Sequence, residues 1–121
     1  MTLTIRRQES IYRAHGYIQN GTFGGRWHFR FADYYDAKFF SFGALRVFND
    51  DTLSPGAVWP LHPHREIEAN WGAYLYLLEG GPVEVNDPAI FVHGAAMIRD
   101  QETIDIAGQE DAELLLVDVM L

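Results

Sequence analysis

The sequence contains no cysteine among its 121 residues. This absence excludes disulfide bonds, thiolate metal ligands and a cysteine nucleophile. It fits a reducing compartment, where thiols and not disulfides are the rule. The first residues, Met1–Arg7, also lack the apolar run of a signal peptide. We therefore expect a cytoplasmic protein.

Basic side chains are scarce as well. Lys and Arg number 9 against 17 Asp and Glu, which gives a formal net charge of −8. Such a chain repels phosphate groups, so we expect no binding to nucleic acid or to anionic membranes. No segment approaches the length of a membrane span. No Gly-x-Ser-x-Gly elbow is present, so the sequence gives no support for a serine nucleophile of that type. No phosphate-binding glycine loop is present either, so it gives no support for nucleotide binding of that kind.

A sustained helical period with caps is also missing. Hydrophobic residues make up 48% of the chain, and its length suits one domain with one core over residues 1–121. Short apolar stretches separated by glycine, proline and asparagine predict an all-β fold, a two-sheet jelly roll of mainly antiparallel strands. The predicted strands are Ile11–Ile18, Arg26–Phe31, Ala44–Asn49, Glu66–Glu79, Val83–Asn86, Ala89–His93, Met97–Arg99, Thr103–Ile106 and Glu113–Leu121.

Two further local predictions concern turns and one loop. Gly24-Gly25 and Asn49-Asp50-Asp51 have the composition of turns and are expected to end strands. The stretch Phe31–Phe42 has no clear period, and we expect an ordered loop packed on the barrel.

The strongest chemical signal is Gly56-x5-His62-Pro63-His64-x3-Glu68. Residues i and i+2 of a strand point to the same face, so His62 and His64 can converge on one point inside a barrel. Imidazole is a common ligand of iron, copper, zinc and nickel, and two histidines with one carboxylate form half an octahedron. Glu68 is the first candidate for that carboxylate, and Glu66 is the alternative on the same face.

Several segments together resemble the pirin family of the cupin superfamily. The resemblance is to the N-terminal half of those proteins and fades after Gly80. It implies a single cupin domain, that is, a double-stranded β-helix barrel. Pirins are two-cupin proteins that bind iron or another divalent metal in the N-terminal cupin. Some have quercetin 2,3-dioxygenase activity, and the eukaryotic member is a redox-dependent transcriptional coregulator. The segments that carry the resemblance are Trp27–Asp36, Phe42–Asp51, Pro55-Gly56, His62–Glu68 and Tyr76–Gly80.

The resemblance also implies a set of four metal ligands, of which this chain retains only part. His62 and His64 match the first pair. By position in the sequence, Ala107 stands where the family has histidine and Gln109 where it has glutamate. The second pair is therefore missing, unless the amide oxygen of Gln109 acts as a weak neutral ligand.

Aromatic side chains surround the histidine motif in the sequence. Such residues would suit stacking against a flat polyphenol, although any small barrel uses the same residues for its core. His28 precedes the aromatic loop and is added as a residue near the pocket. The candidate pocket residues are Trp59, Trp71, Tyr74, Tyr76 and His28.

These observations predict a small-molecule and divalent-metal-binding cupin related to quercetin 2,3-dioxygenases, with an incomplete metal site. Iron, nickel, manganese, copper or zinc are the candidate metals, acting as a Lewis acid on a substrate hydroxyl. The alternative is a non-enzymatic regulatory cupin that binds protein partners and holds no metal. Because only one cupin is present in this sequence, we also expect a homodimer in which an exposed sheet pairs with a second copy.

Overall fold

A computed structural model describes residues 3–61, 71–99 and 103–120. Within these ranges ten strands form two sheets, and every strand pair is antiparallel. The larger sheet has the order β1-β2-β3-β10-β5-β8 and consists of β1 (Tyr12–Ile18), β2 (Gly21–Trp27), β3 (Leu45–Leu53), β5 (Trp71–Gly80), β8 (Ala95–Arg99) and β10 (Ala112–Met120). The smaller sheet has the order β4-β9-β6-β7 and consists of β4 (Val58–Leu61), β6 (Val83–Val85), β7 (Ala89–Ile90) and β9 (Ile104–Gly108).

The two sheets enclose one apolar core, which confirms the predicted all-β barrel. Strand alternation is regular, so every second side chain of β3, β9 and β10 is buried. Each large aliphatic side chain buried in this way contributes about 1.5–3 kcal/mol. The described helices are two 3₁₀ turns, Gln8–Ser10 and Ala37–Phe39, and neither could cross a membrane. The most deeply buried aliphatic residues are Leu75, Leu77, Val83, Ile104, Ile106 and Leu114.

The barrel has two distinct ends. At one end, which we call the base, β3 finishes at Leu53 and a short turn leads to Val58, with Gly108 packed against Leu53. At the other end, which we call the mouth, β4 finishes at Leu61 opposite the first residue of β9, Ile104. The start of β3 and the last residues of β10 lie at the mouth too, because both strands run antiparallel to their neighbours.

Both predicted turns named above are wrong. Gly24-Gly25 lies inside β2, and Asn49-Asp50-Asp51 lies inside β3. Gly25 pairs with Asp51, and Asn49 pairs with Trp27 on one side and Leu116 on the other. Pairing on both edges of β3 therefore overrides the turn preference of these residues.

Several strand predictions also differ from the structure. The strand predicted over Ala44–Asn49 is too short, because β3 continues to Leu53, and that over Ala89–His93 is too long, because β7 ends at Ile90. The strand predicted over Arg26–Phe31 is displaced, because the observed β2 ends at Trp27. The short strand β4 was not predicted. The loop prediction for Phe31–Phe42 agrees with the structure, which has only one 3₁₀ turn there. Stacking of Tyr34 on Tyr12, with ring centroids 4.2 Å apart, ties this loop to β1.

Gly25 leaves room for a buried hydrogen bond between neighbouring strands. Trp27 Nε1 donates to Asp51 Oδ1 over 2.8 Å. A Cβ atom at position 25 would lie 2.2 Å from that Asp51 oxygen and 2.8 Å from the indole nitrogen. The absence of a side chain at Gly25 is therefore a packing requirement of the Trp27–Asp51 contact.

We expect Gly25→Ala to lower the free energy of unfolding by about 1–3 kcal/mol, because the added methyl group displaces both partners. Urea unfolding followed by tryptophan fluorescence measures the loss. Gly24→Ala is the matched control, since a Cβ there meets only the Thr52 hydroxyl, at 3.1 Å. Equal losses in the two variants would contradict this explanation.

Candidate functional site

Three polar side chains interrupt the apolar inner face of the larger sheet. Asn49 is 0% exposed, and Asp51 and Asp118 are each 2% exposed. Asn49 and Asp51 belong to β3, and Asp118 belongs to the neighbouring β10. Buried polar groups are costly unless they are paired, so three of them in one small barrel require an explanation.

Asp51 is explained by its contact with Trp27. Burial raises the pKa of the Asp51 carboxyl from 3.8 to about 7; the hydrogen bond from Trp27 opposes this rise, and the charge of Asp50 adds to it. The carboxyl is therefore largely protonated at mildly acidic pH. Asp51 is an internal structural group that is tied to β2 through the indole.

Asn49 has no such explanation within the described part of the chain. Neither its Oδ1 nor its Nδ2 has a hydrogen-bond partner there, although both atoms are buried. The residue opposite Asn49 on β10 is Leu116, and Asp118 lies two positions further along that strand. Asn49 and Asp118 are therefore diagonal neighbours on the same inner face.

These two residues lie toward the mouth of the barrel. Asn49 is four residues from Leu53 at the base, which corresponds to roughly 13 Å along the strand. Asp118 is one step nearer the mouth, where it pairs with Val47 and Ala73. The β3–β10 register shifts between Asp118 and Val119, and irregularities of this kind are frequent beside functional sites.

The proposed histidine motif begins where the described part of β4 ends. His62, His64, Glu66 and Glu68 lie outside the described residues, as does the side chain of Trp71. Within the described ranges no group of three or more His, Asp or Glu side chains is arranged to hold a metal ion. A metal ligand set of three or more such side chains would thus have to include residues outside the described ranges.

Of the aromatic candidates, Trp59 faces the interior. It is 8% exposed and packs against Phe23, Trp27 and Phe31, at ring-centroid distances of 4.7, 6.5 and 6.3 Å. Trp59 is the third residue before His62, so this aromatic cluster forms part of the wall below the mouth.

Tyr74, Tyr76 and His28 lie on the outer face of the larger sheet. Tyr74 and Tyr76 alternate with the buried Ala73, Leu75 and Leu77 of β5, and Tyr74 is 47% exposed.

The third of these residues, His28, follows the buried Trp27, and its ring contacts Phe48 at 5.0 Å. Burial and the nearby Arg6 lower the pKa of His28, while Asp50 raises it. The structure therefore does not bring His28, Tyr74 or Tyr76 together with Trp59.

Gln109 lies at the base. It follows Gly108, the last residue of β9, and its Nε2 donates to Glu84 Oε1 over 2.9 Å. Gln109 is five residues beyond Ile104, the partner of Leu61, or roughly 16 Å along the strand. The residue that β9 places beside the end of β4 is Ile104, whereas Ala107 lies opposite Val58 at the start of that strand.

The base also carries an open groove of about 600 Å³. Glu113 is there, with its pKa raised first by a hydrogen bond with Asp50, then by burial and by the charges of Asp50 and Glu79. Two of these acids face each other across strands, since Glu113 pairs with Glu79. The groove is acidic and solvent-open, and it lies at the opposite end of the barrel from Leu61.

Sequence reasoning did not identify Asn49 or Asp118 as site candidates. Asn49 was interpreted as part of a turn. The only signal for Asp118 was a single acid within the otherwise apolar run from Leu114 to Leu121. The register that places the two residues together joins strands more than sixty residues apart, so it could not be read from local sequence.

The strand order of the two sheets and their antiparallel pairing define a cupin barrel. A bacterial pirin from Escherichia coli, solved in complex with nickel(II), has a TM-score of 0.64 and 22% identity, covering 95% of this chain and 50% of that one. A predicted oxalate decarboxylase from Thermotoga maritima has a TM-score of 0.57 and 17% identity, covering 98% of this chain and 100% of that one. At such identities these likenesses show the fold.

Sequence comparison supplies the particular relationship. A putative quercetin 2,3-dioxygenase of Pseudomonas aeruginosa is 32% identical over 101 residues, covering 74% of this chain and 42% of the relative. The quercetin 2,3-dioxygenase of Escherichia coli K12 is 42% identical over 76 residues, covering 62% of this chain and 29% of that enzyme. No family model matches the chain. The chain is thus a relative of the pirin family of cupins, and the partial coverage fits an N-terminal cupin only.

The chain spans less than half the length of these curated relatives. Their whole-protein activities therefore do not carry over directly. What carries over is the cupin barrel and its relationship to the pirins, which confirms the resemblance noted in the sequence.

The raised pKa of Asp51 predicts a specific pH dependence of stability. In the unfolded chain this carboxyl ionises near pH 3.8, but in the folded protein it does so at about 7. Between these values the folded state holds one more proton, so the free energy of unfolding falls as pH rises, by on the order of 1 kcal/mol per pH unit. Asp51→Asn keeps an acceptor for Trp27 and removes the titration.

We therefore expect the wild type, relative to Asp51→Asn, to lose stability between pH 4.5 and 7. Urea midpoints measured across that range give the difference directly. Glu113, whose pKa is also raised, is present in both proteins, so its contribution cancels in the comparison. Parallel curves for the two proteins would show that Asp51 is ionised inside the barrel or that it titrates normally.

Proposed function

We propose that this chain is a metal-dependent, small-molecule-binding cupin with chemistry of the quercetin 2,3-dioxygenase type. Support comes from relatives named as quercetin 2,3-dioxygenases and from a pirin solved with nickel(II). The observation that carries the proposal is the position of the H-P-H motif, which begins where β4 reaches the mouth at Leu61. The relatives give no support to the non-enzymatic alternative.

His62, His64 and Glu68 are the proposed ligands, with Glu66 as the alternative carboxylate. This donor set, two imidazoles and one carboxylate, fits iron, nickel, manganese, copper or zinc. The buried amide of Asn49, which has no hydrogen-bond partner among the described residues, is consistent with a polar occupant at this level of the barrel. When bound, the ion would act as a Lewis acid that lowers the pKa of a substrate hydroxyl. We leave Gln109 out of the set because it lies at the base.

The proposal sets one geometric condition on the strand. Trp59 points inward and Pro60 is exposed, so an unbroken alternation would give even-numbered residues the outer face. The register of β4 against β9 is regular through Leu61, so inward histidines require a one-residue shift after Leu61. Proline donates no ladder hydrogen bond, which makes Pro63 a suitable position for such a bulge.

The walls below the mouth indicate the class of substrate. Trp27, Trp59 and Phe31 form a mutually packed aromatic surface beside the proposed metal position. Such a surface suits a flat aromatic molecule, and the net charge of −8 disfavours a strongly anionic one. We propose a neutral phenolic compound as substrate.

Replacing both His62 and His64 with alanine should abolish metal binding and turnover. A divalent ion left with carboxylate and water ligands alone is held too weakly to survive purification. Elemental analysis of tag-free protein should find close to one ion per chain in the wild type and background levels in the variant. Quercetin consumption after loading with iron, manganese, nickel or copper provides the activity readout.

The matched control is His15→Ala together with His93→Ala. His15 lies on β1 and His93 in the turn before β8, and both are exposed. Metal content should not change in this control. Wild-type protein with no metal above background, and no turnover with any of the four metals, would contradict the proposal.

We also propose a homodimer formed through the outer face of the larger sheet. Phe48, Val117, Tyr74 and Met97 occupy one continuous row across β3, β10, β5 and β8. Met97 is 84% exposed. An exposed apolar row of this kind is a surface that can pair with a second copy of the chain.

Met97→Glu should convert the dimer to a monomer at micromolar concentration, because it replaces the most exposed side chain of the apolar row with a charge. Light scattering after size exclusion measures the mass. Tyr17→Glu is the control, since Tyr17 is 91% exposed on β1, at the other edge of the sheet. A wild type that is monomeric under these conditions would refute the dimer.

A further inference from the structure

We propose that two copies of the chain pair face to face through their larger sheets, with the mouth of one barrel over the base of the other. This inference rests on the homodimer proposed above and adds the orientation of its two copies. The observation that carries it is the charge bordering the apolar part of the outer face, with arginines on the mouth side and glutamates on the base side. The partner is a second copy because one face carries both complementary borders.

The base side of the outer face is acidic. Glu113 on β10 and Glu79 on β5 are direct cross-strand partners, and like charges in this position are unfavourable. A hydrogen bond with Asp50 raises the pKa of Glu113, and burial and the charges of Asp50 and Glu79 add to the rise. Arg26, which lies 3.8 Å from Asp50, opposes it. Glu79 is exposed and forms no ion pair within the described ranges, so this border carries uncompensated negative charge.

The mouth side of the same face is basic. Arg99, the last residue of β8, is exposed on the outer face, since its neighbour Ile98 packs toward the core. Arg46 is at the mouth end of β3, and its guanidinium carbon lies 4.7 Å from the centre of the Phe40 ring. Arg30 contacts the same ring from 5.2 Å. These guanidinium groups give this border a positive charge.

Apolar side chains fill the space between the two borders. Arg99 is opposite Gly72, and Gly72 is opposite Val119, which is six positions from Glu113 on β10, or roughly 20 Å. This separation exceeds the Debye length of about 10 Å at 0.1 M salt, so each border acts on a partner independently. The outward side chains between the borders are Phe48, Val117, Tyr74 and Met97 in one row and Leu115, Tyr76 and Ala95 in the next.

The apolar rows are too small to hold a dimer by themselves. Two rows on four strands cover a flat area of about 13 Å by 19 Å, or roughly 250 Å², because neighbouring strands are about 4.8 Å apart. A standard interface covers about 800 Å² on each partner. The contact must therefore extend over the charged borders, and the signs of their charges decide how the two copies are oriented.

Aligned packing of two sheets keeps their strand directions within about 30° of each other, which leaves two orientations compatible with twofold symmetry. If the axis runs along the strands, mouth lies on mouth, and Glu79 and Glu113 meet the same two acids of the second copy. If the axis runs across the strands, mouth lies on base, so Arg99 faces the Glu79 region of the second copy and Arg46 faces its Glu113 region. The second orientation pairs opposite charges at both ends of the interface.

The experiment measures the dissociation constant of the dimer by sedimentation equilibrium. We expect Arg99→Glu to weaken the dimer on the order of 10-fold or more, because symmetry repeats the lost contact. Glu79→Gln combined with Glu113→Gln should weaken it as well. Arg99→Glu combined with Glu79→Arg restores opposite charges and should recover most of the affinity. Raising sodium chloride from about 0.05 M to about 0.5 M should weaken the wild-type dimer, since salt screens the attraction between the borders.

Asp105→Arg is the matched control. Asp105 is exposed on β9 of the smaller sheet, outside the proposed contact. Its reversal changes the net charge by as much as the double glutamate variant does, so general repulsion between copies falls equally, and the control should not weaken the dimer. The mouth-on-mouth orientation predicts the opposite for the test variants, because neutralising both glutamates or adding salt would then tighten the dimer. Either result would overturn the inference.

Failure of the orientation is distinguishable from failure of the homodimer. If wild type is a dimer and Met97→Glu makes it a monomer, the proposed interface stands. Unchanged dissociation constants in the charge variants would then refute only the orientation. If wild type is a monomer at micromolar concentration, both proposals are overturned.

Discussion

The pairing of β3 with β10 is the constraint on which the rest of this structure depends. It joins a strand near the start of the chain to the last strand, and it lies at the centre of the six-stranded sheet. This pairing puts Asn49, Asp51 and Asp118 on the inner wall. It also fixes the mouth, because β4 leaves the end of β3 after one short turn and crosses the barrel. A shift of one residue in the pairing would turn the polar groups of the shifted strand outward, either Asp118 of β10 or Asn49 and Asp51 of β3.

The fold class was accessible from the sequence, but the position of the polar wall was not. Alternating apolar residues predicted Tyr12–Ile18 and most of β10, since each strand buries one face. Gly24-Gly25 and Asn49-Asp50-Asp51 were misread as turns. Their own preferences favour turns, but two-sided pairing and the Trp27–Asp51 hydrogen bond hold them in strands. The energies of strand pairing and of this hydrogen bond depend on residues far apart in the chain, so local sequence does not reveal them.

The candidate site, like the fold, was predictable from the sequence only in part. The H-P-H motif was visible in the sequence because its chemistry is local, with two imidazoles two residues apart. The sequence did not show which aromatic candidates face the interior of the barrel. Trp59 and Tyr74 both lie near the histidine motif in sequence, and only their alternating positions along the strands place Trp59 inside and Tyr74 outside. Asn49 and Asp118 are recognised only through their register. The protein thus combines a proposed local ligand pair with an inner polar wall assembled by topology, inside a barrel related to the pirins.

The central claim is that the mouth of this barrel holds a divalent ion between the histidine motif and the inner wall of the larger sheet. The most direct test is a crystal structure of manganese-loaded protein with anomalous difference maps. The account predicts one strong peak inside the mouth, within coordination distance of His62 and His64. A barrel with no internal peak, or with the ion held only at the acidic groove of Glu79 and Glu113, would contradict it.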